Sequence, residues 1–68
     1  MAIIITNPQI LGGTPIFNGT RVPVSTLFDY LLAGDNIKDF LEDFPTVSFN
    51  QVKYALQHAE LSLEKNAT

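Results

Sequence analysis

The stretch GDNIKDFLEDFPTVSFNQVKYALQHAELSL, residues 34–63, decides the fold, because in it helix starts, helix stops and apolar period all agree. Ser48 can cap the unsatisfied N–H groups of a first helical turn, while Gln51, three residues on, reaches back to close a capping box. Val47 before the cap and Val52 at the fourth helical position suit a hydrophobic staple. Val52, Ala55, Leu56, Ala59 and Leu63 then recur at the three-four spacing of one helical face, which predicts that this face is buried. A shorter helix precedes it, capped by Asn36 with Asp39 in a box-like place, and Ile37, Phe40, Leu41 and Phe44 form its stripe. Pro45 lacks an N–H and disfavours helical geometry at Phe44, so that helix stops there.

A short helix, a tight turn and a longer helix with a polar front end form the outline of a helix-turn-helix, here over residues 36–63. In that geometry Asn50, Gln51 and Lys53 stand where base edges are reached. Asn and Gln can bind adenine through two hydrogen bonds, and Lys can meet guanine or phosphate. Two readings compete with this one. Gln51 is already explained by capping, and Asp39, Glu42 and Asp43 on the preceding helix would repel a DNA backbone.

Upstream, Ile3, Ile4 and Ile5 form a β-branched run closed by Thr6, Asn7 and Pro8, which predicts a short strand. Alternation puts Ile4 on the face opposite Ile3 and Ile5, so both faces are expected to be covered, one of them by a partner chain. Gly12 and Gly13 lie in a GGTP connector that lacks the spacing of either phosphate-binding fingerprint and reads as a tight bend. PIFNGTRV signals a hairpin around Asn18 and Gly19, and a two-residue loop would set Phe17 against Thr20, Ile16 against Arg21 and Pro15 against Val22. Arg21 would then lay its stem over Ile16, with contact to a phosphate or a partner's carboxylate as its sharper role. A further helix covers VSTLFDYLLAG, with Val24, Leu27, Phe28, Leu31 and Leu32 on its stripe, Pro23 in its first turn and Gly34 at its left-handed end. The polar tail from Glu64 to Thr68 is expected to fray.

The whole is one domain, residues 1–68: strand and hairpin over 3–23, then a three-helix region over 24–65. It is mainly α, and its three stripes can meet in one core, similar to the trihelical arrangement of homeodomain-like domains. A core of this size is worth only about 3 to 5 kcal/mol. With no Cys and one His, disulfides and metals are closed as remedies, and a partner subunit is the one left. A hydrophobic fraction of 46% and a mean hydropathy of +0.15 agree, being more than a small monomer easily hides. A homodimer is therefore expected.

Net charge of -3 lacks the basic surface that bulk phosphate binding needs, so any DNA contact must be local and salt-sensitive. No run of about 18 apolar residues spans a membrane, Met1 to Ile5 does not read as a signal peptide, and a cytoplasmic protein is expected. No cofactor is implied, and no catalytic residue stands out. His58 has no Cys or Ser-His-Asp pattern beside it and reads as a surface histidine, and the acidic trio reads as a solvated helix face. On the far side of the last helix, Tyr54 and Leu61 stand seven residues apart on an otherwise polar face and suit a partner contact, with Ile4 of the strand as a third contributor.

The run ILGGTPIFNGTRVPVSTLFDYLLAGDNIKDFLEDFPTVSFNQVKYAL resembles a family of small prokaryotic proteins catalogued as the domain of unknown function number four hundred and thirty-three. The resemblance rests on an ordered set: Gly13 to Pro15, Gly19 to Arg21, Ala33 and Gly34, Phe44 and Pro45, and Val52 to Leu56. It covers about two thirds of the chain. It implies a homeodomain-like three-helix fold with an N-terminal β element, and a role as the antitoxin of a toxin–antitoxin pair beside a PIN-like ribonuclease. The leading expectation is thus a non-enzymatic antitoxin that binds its toxin and its own operator DNA. A stand-alone DNA-binding regulator and a structural dimerisation module are the alternatives.

Overall fold

Two short strands and three helices follow one another in the computed structural model, which describes residues 3–9 and 11–66. Strands β1 (Ile4–Ile5) and β2 (Ile16–Phe17) are followed by helices α1 (Val24–Leu32), α2 (Ile37–Asp43) and α3 (Phe49–Asn66). β1 and β2 pair antiparallel, Ile4 opposite Phe17 and Ile5 opposite Ile16. The connector between them bends tightly at Leu11–Gly13, where Gly12 and Gly13 take left-handed backbone at φ 66° and 90°.

The pairing after Phe17 differs from the two-residue hairpin. The turn itself is present, with Thr20 N–H bonded to Phe17 O at 3.0 Å and Gly19 at a φ of 82° that a side chain would strain. But Phe17 N–H bonds to Val22 O, and Ile16 faces Pro23. Neither Thr20 nor Arg21 pairs where the shorter loop would put it. The reason is the Thr20 hydroxyl, which donates to Phe17 O at 2.8 Å and accepts from Val22 N–H at 3.0 Å, so that a side chain takes the place of a ladder bond. Phe17 and Val22 still reach the core together, while Arg21 is left exposed in the loop.

The helix boundaries follow their local chemistry. Asn36 accepts from Asp39 N–H at 2.8 Å, and Asp39 returns a bond from Asn36 N–H, so the α2 capping box is complete. α2 ends at Phe44, the residue before Pro45. Gly34, at φ 93°, turns the chain out of α1. The α1 stripe is narrower than its sequence suggests: Leu27 is buried and Val24, Tyr30 and Leu31 pack on the core, but Leu32 is 87% exposed. α3 holds Val52 and Ala55 in the core with Leu56 packed against it, whereas Leu63 stays open because the helix outruns the body it leans on. The expected frayed tail is helical through Asn66, whose Nδ2 donates to Ser62 O, and Ala67 and Thr68 lie outside the described residues.

Phe17 of β2, Leu27 of α1, Phe40 of α2, Val47 of the turn before α3, and Val52 and Ala55 of α3 form the core, and Ile4 of β1 packs against it. Val47 and Val52 are both buried there, as a staple requires. Phe40 is the centre of its aromatic part, 6.2 Å from Phe17, 5.5 Å from Tyr30 and 5.1 Å from Phe44, ring centre to ring centre. Phe40→Ala should cost about 3 to 5 kcal/mol. That equals what so small a core supplies, so the expected result is loss of the far-UV helical signal at room temperature.

Tyr30 also ties α1 to α2 through its hydroxyl, which donates to Asp43 Oδ2 at 2.6 Å. That bond, with desolvation and the charge of Asp43 behind it, raises the titration of Tyr30 above the ordinary tyrosine range. A hydroxyl that titrates later in the folded than in the unfolded chain stabilises the fold fully below about pH 10. The contribution is lost as pH rises through the raised value. Thermal midpoints measured across that range should fall more steeply for the natural chain than for Tyr30→Phe.

Candidate functional site

α3 begins as its sequence dictates, and its first turn does more than cap itself. Ser48 Oγ accepts from Gln51 N–H at 3.2 Å, and Gln51 Oε1 accepts from Ser48 N–H at 3.0 Å. The other end of the same amide donates to Asn18 O at 2.9 Å and to Ile3 O at 3.4 Å. Ile3 O also receives Asn18 N–H at 2.9 Å. One side chain therefore joins the start of α3 to the N-terminal segment and to the turn after β2. Both amide ends of Gln51 are spent inside the fold, which removes it from the set of base-reading residues.

The remaining candidates divide by position. Asn50 and Lys53 are exposed on α3, and the turn that carries exposed Arg21 is held beside the helix start by the Asn18–Gln51 bond. The three are thus on neighbouring elements, with α2 and its Lys38, Asp39, Glu42 and Asp43 alongside. Asp39 and Asp43 are not merely solvated: one closes the α2 cap and the other accepts from Tyr30. Ile4 packs against the core, so it serves the fold.

Tyr54 and Leu61 do lie open on the outer side of α3, Leu61 by 54%. Between them His58 lies with its ring 4.3 Å from that of Tyr54. Tyr54, His58 and Leu61 follow the four-three spacing of one helical ridge and form an aromatic and apolar strip on a polar background. Among the described residues, no three His, Asp or Glu side chains gather as metal ligands would. None of the described helices is long and apolar enough to cross a membrane.

Sequence reasoning overlooked a second open surface. Two apolar depressions meet at Ile37 and Phe49: one is lined also by Val52 and Leu56 with Lys53, Gln57 and Glu60, the other by Leu41 with Lys38 and Glu42. Phe49, the first residue of α3, lines both and is 57% exposed. The signal was legible: Phe49 stands seven residues before Leu56, which stands seven before Leu63, so the apolar stripe was already wider than one small core could cover.

A family model described as "Protein of unknown function (DUF433)" matches residues 4–59, most of the chain. The chain belongs to the DUF433 family. The uncharacterized protein y4eO of Sinorhizobium fredii (strain NBRC 101917 / NGR234) is 38% identical over 58 residues, which are 85% of this chain and 26% of that protein. The crystal structure of a DUF433 member from Anabaena variabilis ATCC 29413 superposes with a TM-score of 0.78 at 28% identity, covering 93% of this chain and 62% of that one. The present chain thus spans about a quarter of the curated relative and under two thirds of the crystallised one. In DUF433 terms, the motifs behind the resemblance are mainly fold-making positions: Gly19 and Thr20 shape a turn, Gly34 and Phe44 end helices, and Val52 and Ala55 fill the core.

Gln51→Glu tests the internal role of that residue. It keeps the cap acceptor and suits a helix start, but sets a carboxylate against two carbonyl oxygens. The expected loss in urea unfolding is about 1 to 3 kcal/mol. The deficit should shrink as pH is lowered toward about 4, because two facing carbonyls raise the titration of the carboxyl above that ordinary value and the protonated group can again donate.

Proposed function

We propose that the chain is a non-catalytic protein-binding module of the antitoxin type, which holds a basic, PIN-like ribonuclease against the outer side of α3. The observation that carries this reading is the open strip of Tyr54, His58 and Leu61, an aromatic–apolar patch of the kind that anchors protein interfaces. The acidity of the chain supports it, because a net charge of -3 steers a basic protein toward it and a nucleic acid away. The engagement of Gln51 within the fold points the same way, since it leaves Asn50 and Lys53 as the polar residues of the α3 front end open to a base. The single histidine lies on that strip with its ring against Tyr54, and so adds to the aromatic surface a partner would meet.

Operator DNA is the second reading, favoured by the exposure of Asn50 and Lys53 beside the turn that carries Arg21. It requires a steep loss of binding with added salt. The decisive experiment is recovery of the tagged chain from its host after nuclease digestion, with an activity assay on any ribonuclease that copurifies. A stoichiometric ribonuclease, silent in the complex and released by Tyr54→Ala with Leu61→Ala, is the expected result. Helical content should be unchanged in that double variant, because both residues are open. Recovery of the chain without a ribonuclease, or binding indifferent to the two substitutions, would move the reading to salt-dependent binding of its own upstream DNA.

A further inference from the structure

One flank of α3 carries a pattern that reads the same in both directions, with charges exchanged. Phe49, Lys53, Leu56, Glu60 and Leu63 run along it as apolar, basic, apolar, acidic, apolar. Counted at about 100° per residue, they fall within one third of the helix circumference. Phe49 and Leu63 are largely exposed, the latter by 73%, and Leu56 is half-buried. We propose that two copies of the chain pair along this flank, α3 against α3 in antiparallel orientation, about a two-fold axis that passes Leu56.

The geometry selects that orientation. Phe49 and Leu63 are each seven residues from Leu56, about 10 Å along the axis at 1.5 Å per residue. Antiparallel pairing centred on Leu56 therefore sets Phe49 of each copy against Leu63 of the other. Lys53 lies three residues before the centre and Glu60 four after, so each lysine meets the second copy's glutamate with one residue of offset, twice by symmetry. A parallel pair would set Lys53 against Lys53 and Glu60 against Glu60, which is repulsive.

Shape agrees with charge. Ile37, Leu41 and Phe49 line a depression at the start of α3, and residues 60–66 at its end are all exposed. Antiparallel pairing lays the projecting end of one copy over the depression of the other, with Leu63 entering it. The two open apolar features of each copy cover one another. This surface is on a different flank of α3 from Tyr54 and Leu61, so dimer and partner complex can coexist, and neither reading rests on the other.

Sedimentation of the purified chain across a dilution series tests the pairing, with no ribonuclease present. The expected result is a reversible dimer that Lys53→Glu or Glu60→Lys alone weakens by about tenfold. Lys53→Glu combined with Glu60→Lys should restore it, and so should mixing the two single variants, because the heterodimer again pairs opposite charges. Leu63→Ala lies outside the core and should weaken the dimer without changing helical content. A monomeric natural chain overturns the proposal. So does a dimer unmoved by the single reversals, or single variants that stay monomeric when mixed.

Discussion

Burial of the Phe40 ring is the constraint on which the rest of the structure depends. Of five Phe and two Tyr in the chain, four rings gather here: Phe17 from β2, Tyr30 from α1, and Phe40 and Phe44 from α2. Tyr30 meets Phe40 at 82° and Phe44 at 72°, edge to face, an arrangement that places the positive ring edge on the negative face. α2 has only seven residues, too few to persist on helix propensity. It exists because its cap and its Pro45 stop set its limits and because Phe40 anchors it to every neighbour. Concentrating the aromatic mass at one point leaves little to cover the α3 flank, and Phe49 and Tyr54 stay open as a result.

The second constraint is polar. Two strands of two residues each cannot hold an N-terminal segment by ladder bonds alone. The Gln51 amide supplies what the sheet lacks, by donating to carbonyls of both Ile3 and Asn18 while it caps its own helix. A residue that looks exposed and available in the sequence is in fact the tie between β segment and helix. The consequence reaches function: the polar front end that makes α3 resemble a recognition helix is partly internal hardware, and the acidic neighbour α2 has Asp39 and Asp43 bound into caps and cross-links. What the fold leaves outward on α3 is a polar surface interrupted by four large side chains, Phe49, Tyr54, Leu61 and Leu63.

Family membership and structure agree about the scaffold and speak unequally about the surface. Turn glycines, helix ends and core positions account for most of the motifs that place the chain in DUF433, so those motifs transmit a fold. The strips on α3 lie largely outside them. The same unit forms a quarter of one relative and under two thirds of another.

Local chemistry alone determined the three helices, both capping boxes, the Pro45 stop, the Gly34 exit and the turn at Asn18 and Gly19, because each depends on residues within a few positions of one another. It also marked Tyr54 and Leu61 as outward, since helical period suffices for that. Only the tertiary structure decided the rest. The ladder register shifted because a threonine hydroxyl took a backbone partner, and Gln51 left the binding surface because two carbonyls distant in sequence came within its reach. Leu32 and Leu63 were stripe residues by period and exposed in fact, since period reports which side of a helix is apolar and the length of the body beside it decides how much of that side is covered.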